Sequence, residues 1–250
     1  MANRTALVTG ASYGVGAACA LALARAGYDV AVTATRLANL QRTLEATAAI
    51  GGRAVGLALD LRDEGGIKCV VADALDALGR IDVLVNNAGV NLRRNAVDVS
   101  RDEWRSVMDV NVGGTFFLTQ RVARRWIEHK QPGCIVNIAS THGLIGAPER
   151  SIYGISKAAI VHMTRMLAIE WAAHGIRVNA VAPGRMQTES PSRAEKGTDP
   201  AYMAAVLARI PLHRLATAEE VAAAVCWLAS AQAASVTGHT LVMDGGLTAA

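Results

Sequence analysis

Three residues in one part of the chain have side chains that together could transfer a proton: Ser140, Tyr153 and Lys157. Residues four apart in a helix rise about 6 Å and return to the same face, so Tyr153 and Lys157 are expected side by side. An ammonium next to a phenol favours the phenolate, which lets a tyrosine give or take a proton near neutral pH. Because Tyr-x-x-x-Lys also occurs by chance on amphipathic helices, it predicts chemistry only if the chain supplies partners.

The composition indicates one well-packed domain. The chain has 250 residues, of which 52% are hydrophobic and 18% charged, which suits a single α/β domain over residues 1–250. The formal net charge of +4 is spread along the sequence, so we do not expect a nucleic-acid partner. A moderately basic surface or an anionic ligand accounts for the excess equally well.

The cysteines and the apolar segments indicate in which cellular compartment the protein is expected. Cys19, Cys69, Cys134 and Cys226 are widely separated, so we expect four buried thiols in a reducing compartment, and neither a disulfide framework nor a metal site. The N-terminus leaves no room for a signal peptide before the first predicted strand, and no apolar run reaches about eighteen residues. The sequence therefore predicts a cytoplasmic protein without a membrane span.

A glycine-rich turn follows the first predicted strand, Thr5–Thr9, and precedes an alanine-rich segment with high helix propensity. This is the context of a dinucleotide-binding loop. Gly10 would allow the tight turn, Gly14 a close approach to pyrophosphate, and Gly16 close packing of the helix on the strand. The N–H groups at the start of that helix would then face the anion. A plain tight turn between strand and helix is the alternative.

The end of the second predicted strand, Asp29–Ala34, bears on the choice of nucleotide. An acidic residue there would bind the ribose 2′-hydroxyl of NAD, but the residues that follow are Thr35 and Arg36. Arg36 could pair with a 2′-phosphate, which favours NADP, and a solvated surface arginine is the competing interpretation.

The next two predicted strands also end in residues that could line a ligand crevice. Asp60 and Leu61 follow the third strand, where an adenine ring could be held. The fourth strand, over residues 81–89, becomes polar at Asn86 and Asn87. Amides at the carboxyl end of a parallel strand lie where open α/β sheets bind ligands, although Asn86 could equally brace the neighbouring strands.

A long helix over residues 102–127 carries Asn111. An asparagine inside a helix lowers its propensity, so we expect either a functional amide or a buried one that bonds to backbone and perturbs the helix. The fifth predicted strand, over residues 134–139, ends at Ser140 and therefore points that serine into the crevice where the tyrosine helix begins.

A sixth predicted strand, over residues 177–181, is followed by Pro183 and Gly184. The polar, proline-containing stretch over residues 185–211 is the longest irregular segment, and its place after a strand end predicts a substrate lid. One more helix and one more strand complete the chain. The alternation predicts an α/β fold, a doubly wound (Rossmann) parallel sheet of about seven strands with helices on both faces.

Together these motifs resemble those of the short-chain dehydrogenase/reductase family over nearly the whole chain. They are Thr-Gly-x-x-x-Gly-x-Gly at 9–16, Asn-Asn-Ala-Gly at 86–89, Asn111, Ser140, Tyr-x-x-x-Lys at 153–157 and Pro-Gly-x-x-x-Thr at 183–188. The resemblance implies an enzyme that transfers a hydride between a nicotinamide cofactor and a ketone or secondary alcohol.

The resemblance also implies roles for single residues. Tyr153 would donate and accept the proton, and Ser140 would bond to the substrate oxygen. Lys157 would favour the tyrosinate and hold the nicotinamide ribose, and Asn111 would hold a water that links the lysine to solvent. The residues expected to contact the cofactor are Gly10, Ser12, Tyr13, Gly14, Val15, Gly16, Thr35, Arg36, Asp60, Leu61, Asn87, Ala88, Gly89, Tyr153, Lys157, Pro183, Gly184, Met186 and Thr188.

The resemblance favours NADP(H) and leaves NAD(H) open. Many relatives that use NADP carry a basic residue just before the second glycine of the loop, and this chain has Tyr13 there. Arg36 therefore favours NADP, whereas Tyr13 in place of a basic residue weakens that assignment.

The expected substrate pocket includes Ser140, His142, Arg150, Tyr153 and Arg185. Further arginines in the same loops are Arg93, Arg94 and Arg193. An arginine cluster suits a carboxylate, a phosphate or a polyol acid, whereas arginines in loops are often simply solvated. The motifs look most like the 3-oxoacyl-carrier-protein reductase branch, with sugar, polyol or gluconate-type dehydrogenases as the alternative.

Two further expectations concern function class and assembly. A non-catalytic NAD(P)-sensing protein could share the fold, but it would not need the serine, tyrosine, lysine and asparagine together. Relatives pair their long helices across subunits, which implies a homotetramer here. The small and apolar residues expected to serve this contact are Gly113, Gly114, Phe116, Ala158, Ala159 and Met163.

Overall fold

Seven parallel strands form one sheet in the computed structural model, which describes residues 3–186 and 199–249. The strands are Arg4–Val8 (β1), Tyr28–Ala34 (β2), Ala54–Ala58 (β3), Val83–Asn86 (β4), Gly133–Ile138 (β5), Ile176–Pro183 (β6) and Thr240–Met243 (β7). Their order is β3-β2-β1-β4-β5-β6-β7, and every neighbouring pair is parallel. The predicted doubly wound sheet is therefore confirmed.

Helices cover both faces of this sheet. Those in the described residues are Gly14–Arg25 (α1), Gln41–Ala49 (α2), Glu64–Leu78 (α3), Arg101–Met108 (α4), Thr115–Glu128 (α5), Ser151–Trp171 (α6), Pro200–Ala208 (α7) and Ala218–Ala229 (α8). A π-helical segment, Asp109–Gly114, joins α4 to α5. The helix predicted over residues 102–127 is thus interrupted in its middle.

The strands divide their side chains between two cores because successive residues of a strand point to opposite faces. In β1, Ala6 and Val8 belong to the core that α1 and α8 cover, whereas Leu7 packs on the side of α3, α5 and α6. Burying a valine or leucine side chain contributes roughly 1.5–3 kcal/mol, so both faces hold the sheet firmly. The carboxyl ends of the strands are the edge that remains for ligands.

Helix α3 has no counterpart in the sequence analysis. Its first turn contains Gly65 and Gly66, which weaken the helical signal because glycine lowers helix propensity. The Asp63 carboxylate caps the helix by accepting a hydrogen bond from the Gly65 N–H, and Gly79 ends it with a left-handed φ of 79°.

The segment predicted as an irregular lid, residues 185–211, contains helix α7. Asp199 caps this helix by accepting from Ala201 N at 3.0 Å, and Pro200 occupies its first turn, where proline is favoured. Alanine, leucine and methionine follow, and these are strong helix formers. The prediction that the whole segment is irregular is therefore wrong for α7, and residues 187–198 lie outside the described residues.

The cysteines are free, as expected, but not all are buried. Cys19 and Cys134 lie in the core, Cys226 is partly buried, and Cys69 is exposed on the outer face of α3. Among helices of the described residues, none has the length and apolar character needed to cross a bilayer. No grouping of His, Cys, Asp and Glu suited to a metal ion occurs within the same residues.

The residues expected to face another subunit point in different directions. Gly114 is buried, and Phe116 and Met163 pack against the core, because helical periodicity turns them toward the sheet. The outward face of α6 carries Ala158, one of the expected residues, together with Ile155, His162, Met166 and Ile169.

Candidate active site

The residues singled out in the sequence gather where strands β1, β4, β5 and β6 end. The strand order reverses between β1 and β4, and such a reversal opens a crevice at the carboxyl edge of the sheet. The glycine turn follows β1, the amide pair ends β4, Ser140 follows β5, and Pro183 ends β6. The sheet thus brings together segments that are far apart in the chain.

The glycine turn has the geometry that the sequence predicted at two positions. Gly10 and Gly14 have φ values of 66° and 59°, a region that residues with side chains rarely adopt. A Cβ at Gly14 would meet nothing within 4 Å, so its surface faces open space. A Cβ at Gly16 would lie 2.3 Å from the Gly10 oxygen and 2.5 Å from Asn87 Nδ2. Gly16 therefore allows helix α1 to pack closely on the turn and on Asn87. The sequence had predicted that the helix packs on the strand at this position.

The start of helix α1 fits an anion. Tyr13 is the N-cap residue, its side chain makes no capping hydrogen bond, and the first turn contains no acidic residue. The first N–H groups of a helix have no partner within the helix, and the helix dipole makes this end positive. Ser12 and Val15 are partly buried beside the turn, while Tyr13 is 49% exposed. The backbone here would hold the pyrophosphate of a dinucleotide.

Asn87 ties the glycine turn to the end of β4. Its Nδ2 donates to the carbonyl oxygens of Thr9 at 3.0 Å and Gly10 at 2.8 Å. In return the Thr9 hydroxyl oxygen accepts from the backbone N–H groups of Asn87 and Ala88, both at 3.0 Å. The side chain expected to contact the cofactor thus positions the turn that would bind it.

Asn86 braces the sheet, as one of the two interpretations proposed. It is 5% exposed, and its Nδ2 donates to Asn137 Oδ1 and to Thr119 Oγ1, both at 2.8 Å. Asn137 in turn donates to Thr164 Oγ1 at 2.9 Å. A chain of amides and hydroxyls therefore joins β4 and β5 to α5 and α6 inside the core.

The residues expected around the adenosine lie at the ends of β2 and β3. Thr35 and Arg36 are exposed just after β2. The Asp60 carboxylate accepts from Arg62 Nη2 at 2.6 Å and from the Arg62 backbone N–H at 3.0 Å, and these bonds lower the pKa of Asp60. Leu61 is buried against Gly114, where a Cβ would lie 2.3 Å from the Leu61 oxygen. Asp60 and Leu61 thus connect the end of β3 to the π-helical segment.

Lys157 is a buried ammonium, 6% exposed, beside Tyr153. Its Nζ donates to the Ile138 carbonyl oxygen at 2.7 Å and lies 5.8 Å from the centre of the Tyr153 ring. An ammonium has three N–H donors, and among the described residues the other two have no protein acceptor. A buried charge is stable only with polar partners, so these donors fit a ligand with hydroxyl groups.

Ser140 lies against the first turn of α6. Its Oγ accepts from the His142 backbone N–H at 3.2 Å, and His142 Nδ1 lies 3.4 Å from it. Two glycines allow this contact, since a Cβ at Gly143 would lie 2.7 Å from the Lys157 carbonyl carbon, and one at Gly154 2.8 Å from the His142 oxygen. The Ser140 hydroxyl can donate its proton to His142 Nδ1 when that nitrogen carries no proton, or to another oxygen.

Asn111 lies in the π-helical segment, 2% exposed. Its Oδ1 accepts from Val90 N at 2.7 Å, and its Nδ2 donates to Val90 O at 2.9 Å and to Ser156 Oγ at 3.0 Å. Ser156 Oγ then donates to the Tyr153 carbonyl oxygen at 2.8 Å. Both protons of the amide are used, so only the second lone pair of Oδ1 could bind a water. The expected perturbation of the helix is confirmed.

The loop between β4 and α4 places Gly89 next to Asn111 and Lys157. A Cβ at Gly89 would lie 3.1 Å from Asn111 Oδ1 and 3.8 Å from Lys157 Nζ. A Cβ at Gly10 would lie 2.7 Å from the Ala88 Cα atom. Ala88 and Gly89 therefore connect the glycine turn to the tyrosine–lysine pair.

The segment after β6 lies beside the last strand. Pro183 is buried, a Cβ at Gly184 would meet the Asp244 Cα atom at 2.8 Å, and Met186 forms an isolated parallel bridge with Ala216. Thr188 and Arg193, expected to contact the cofactor and the substrate respectively, lie outside the described residues.

The arginines expected around the substrate are engaged with the protein. Arg185 Nη1 donates to Tyr202 Oη at 2.7 Å, and Arg150 Nη1 donates to Asn91 Oδ1 at 2.7 Å. Arg93 pairs with Glu149, and Arg94 pairs with Glu103 at 2.6 Å. Each of these four side chains therefore has a protein partner, while Arg93 and Arg94 remain 42% and 50% exposed.

Several residues of the site were missed by the sequence analysis. They are Val90, Ile138, Ser156 and Tyr202, whereas Thr9 was part of the glycine motif but was assigned no role. Ser156 stands next to Lys157, so its place in the motif was a usable signal. Val90 and Ile138 act through backbone atoms, which leave no trace in a sequence.

Comparisons with known proteins agree with this geometry. Residues 10–248 match the family described as enoyl-(acyl carrier protein) reductase. The chain is 38% identical over 247 residues to 3beta-hydroxysteroid dehydrogenase 1 of Eggerthella lenta, covering 98% of this chain and 94% of the relative. It is 37% identical over 246 residues to a 3-oxoacyl-acyl-carrier-protein reductase of Thermotoga maritima, covering 98% of each.

Among solved structures, the fold is similar to that of a candidate 2-deoxy-D-gluconate 3-dehydrogenase from Agrobacterium tumefaciens with bound NADP. The TM-score is 0.91 and the identity 39%, with 100% of this chain and 98% of the other covered.

Proposed function

This chain belongs to the short-chain dehydrogenase/reductase family and is an oxidoreductase of alcohol and ketone groups, and we propose that it is an NADP(H)-preferring carbonyl reductase of the 3-oxoacyl-carrier-protein reductase type. The observation that carries this proposal is the buried ammonium of Lys157, 5.8 Å from the Tyr153 ring, with one backbone partner at 2.7 Å. A buried lysine with donors to spare next to a tyrosine has no evident purpose in packing.

The proposed division of labour follows from the contacts of each side chain. When bound, the nicotinamide supplies or accepts the hydride. Tyr153 would give its proton to the carbonyl oxygen as negative charge develops there, and the Ser140 hydroxyl would donate a hydrogen bond to the same oxygen. Lys157 would stabilise the tyrosinate that remains and hold the ribose hydroxyls with its two other N–H groups. Asn111 would position Val90 and Ser156 and accept one hydrogen bond from a water.

The preference for NADP(H) is supported by Arg36. It is exposed at the end of β2, where a carboxylate would instead select NAD, and NADP is bound in one of the similar structures. Arg36→Asp should weaken binding of NADPH by about tenfold or more and leave NADH binding unchanged or tighter. Equal affinity of Arg36→Asp and the unaltered protein for NADPH, measured by fluorescence titration, would contradict a role of Arg36 in selecting NADP(H).

The substrate candidates differ in charge and size. A 3-oxoacyl thioester is our first candidate, on the likeness to the Thermotoga reductase. A sugar acid or polyol is the second, because Arg150 directly precedes the helix of Tyr153 and Arg185 follows strand β6 by two residues. The relative from Eggerthella adds a 3-hydroxysteroid to the panel, as an apolar and neutral candidate.

The assembly we propose is a homotetramer. Phe117 and Ile169 are 54% and 82% exposed on α5 and α6, and Leu212 is 63% exposed beside the edge strand β7. Exposed apolar side chains on α5, on α6 and beside β7 support two different two-fold interfaces. Light scattering should give four times the chain mass of 26.1 kDa, and a monomeric mass would contradict the proposal. The free thiols support the cytoplasm as its compartment.

The central test is Tyr153→Phe, which keeps the ring and removes the hydroxyl. We expect NADPH binding to persist while turnover of the first active ketone falls by about a hundredfold or more. Retained turnover would remove Tyr153 from the mechanism. Binding of NADPH by the unaltered protein without any absorbance change across acetoacetyl-CoA, sugar acids, polyols and 3-ketosteroids would support a non-catalytic NAD(P) sensor instead.

A further inference from the structure

The carbonyl group of Ala11, in the glycine turn, is held by a threonine from another element. Thr43, in the first turn of α2, donates its hydroxyl proton to the Ala11 oxygen at 2.7 Å. Among the described residues no other group donates to this oxygen. Thr43 is 2% and Ala11 0% exposed, so water has no access to take the place of the hydroxyl. Because a buried carbonyl without a partner is costly, the turn depends on Thr43 for this bond.

The peptide group between Gly10 and Ala11 is fixed at both of its ends. The Gly10 oxygen accepts from Asn87 Nδ2, just after β4, and the Ala11 N–H donates to the Thr33 oxygen of β2 at 2.9 Å. In a planar trans peptide the C=O and the N–H point in opposite directions. This peptide group is thus stretched between the two strands that flank β1.

The same geometry sets the direction of the next peptide group, between Ala11 and Ser12. Because its oxygen faces Thr43, its N–H, which belongs to Ser12, points away from α2. Among the described residues no acceptor is found for the Ser12 N–H, and Ser12 is only partly buried. Ser12 stands directly before Tyr13, the N-cap residue of α1. A backbone donor without a protein partner at this place fits an oxygen of a ligand.

Thr43 also connects the turn to the loop that carries Arg36. Arg36 precedes a short 3-10 turn, Leu37–Leu40, and its oxygen accepts from Asn39 N at 3.0 Å. The last residue of this turn is fully buried and leads directly into α2. The loop of Arg36 is therefore held by β2 at one end and by the Thr43–Ala11 bond at the other.

We propose that Thr43 is a positioning residue for the cofactor: its bond to Ala11 aims the Ser12 N–H at an oxygen of the nicotinamide dinucleotide and fixes the loop of Arg36 to the glycine turn. This inference rests on the proposed binding of NADP(H) or NAD(H) at the turn. Thr43 itself is buried, so it acts through the turn. Without its hydroxyl, the peptide group between Ala11 and Ser12 would turn toward another donor, and the Ser12 N–H would turn with it.

Three variants of the full chain test this role. Thr43→Val keeps the branched shape of the side chain and removes the hydroxyl, whereas Thr43→Ser keeps the hydroxyl. Thr47→Val is the matched control, because Thr47 is also fully buried in α2 but donates its hydroxyl proton to the Thr43 carbonyl within the helix, at 2.8 Å. In that variant the Thr43 carbonyl keeps the backbone N–H of the helix as a partner.

Fluorescence titration with NADPH and with NADH gives the dissociation constants without any substrate. Thr43→Val should weaken binding of the preferred cofactor by about tenfold, and Thr43→Ser by less than about twofold. Thr47→Val should leave the affinity unchanged. Equal affinity of Thr43→Val and the unaltered protein would overturn the proposal. So would a loss in Thr43→Ser or in Thr47→Val as large as that in Thr43→Val.

Steady-state kinetics distinguishes a positioning role from a general loss of structure. With the first active ketone, Thr43→Val should raise KM for the cofactor by about tenfold and leave kcat at saturating cofactor within about twofold of its original value. The reason is that Ser140, Tyr153 and Lys157 lie after β5 and on α6, away from the bond that is removed. A fall in kcat with an unchanged KM for the cofactor would contradict the role of Thr43.

The cofactor titration also separates this inference from the proposed reductase function. Weakened binding in Thr43→Val without reduction of any ketone would support the role of Thr43 and count against the reductase. Reduction of ketones, with the same cofactor affinity in Thr43→Val as in the unaltered protein, would support the reductase and refute the role of Thr43. If the unaltered protein bound neither NADPH nor NADH, both proposals would be wrong.

Discussion

The side-chain amide of Asn111 pairs with the backbone of Val90 as two strands pair with each other. Its Oδ1 accepts from Val90 N at 2.7 Å, and its Nδ2 donates to Val90 O at 2.9 Å. The pair fixes the loop after β4 to the π-helical segment, and Gly89 is thereby held next to Lys157. One side chain thus connects a distorted helix to the loop that closes the proposed site.

Asn111→Ala should destabilise the protein through this pair. It leaves the Val90 N–H and carbonyl without partners, and leaving such groups unpaired costs about 1–3 kcal/mol of unfolding free energy. Urea unfolding measures the loss, with the exposed Asn39→Ala as the control. If both variants unfold at the same urea concentration as the unaltered chain, the Asn111–Val90 pair contributes nothing to stability.

The two later glycines of the turn should differ in their response to alanine. Gly14→Ala meets open space and costs only the strain of a left-handed residue, about 1–2 kcal/mol. Gly16→Ala places a methyl group 2.3 Å from the Gly10 oxygen, so the turn and Asn87 must move. NADPH affinity from fluorescence titration should therefore fall by at least about tenfold more for Gly16→Ala than for Gly14→Ala. Equal losses would mean that the turn is adaptable.

Lys157→Met should separate stability from function. Burying an ammonium costs several kcal/mol, and its single hydrogen bond to Ile138 offsets only about 1.5–3 kcal/mol of this. We therefore expect an unchanged or higher thermal midpoint, together with a loss of turnover of about a hundredfold or more.

The exposed Lys68→Met is the control and should alter neither quantity. A fall in the midpoint of Lys157→Met as large as that of a core substitution would assign Lys157 a structural role.

Acid stability should depend on Glu220 at the start of α8. Arg214 donates to both carboxylate oxygens, at 2.7 and 3.0 Å, and Thr217 N donates to one at 2.9 Å, which lowers the pKa of Glu220 from 4.5 to about 2. A lowered pKa means that the unfolded chain binds the proton more readily. The contribution is therefore present above pH 4.5 and is lost as the pH falls toward 2.

Glu220→Gln should accordingly show a flatter loss of stability than the unaltered protein over that range. The measurement is urea unfolding at a series of pH values, at low salt because the pair is exposed and salt screens it. Glu219→Gln is the matched control, since Glu219 is exposed on the same turn. The same slope in both variants would show that the Arg214 pair does not influence acid unfolding.

The features that could be predicted from the sequence are those that depend on residues close together in the chain. The alternation of apolar strands and helices gave the sheet, and positive φ at Gly10 and Gly14 follows from the turn that their spacing requires. Helix α3 was not predicted because two glycines in its first turn masked the helical pattern. Helix α7 was not predicted because polar residues precede it. Cys69 was expected to be buried but is exposed, because it lies on the outer face of α3, which was not predicted.

By itself, then, the sequence determined the doubly wound sheet, the glycine turn and the shared helical face of Tyr153 and Lys157, because periodicity and backbone conformation are local properties. Only the tertiary structure decided that Lys157 bonds to Ile138, that Asn111 pairs with Val90, and that Arg185 bonds to Tyr202. These contacts join backbone atoms or residues distant in the chain, and their partners are selected by the packing of the sheet edge rather than by any pattern along it.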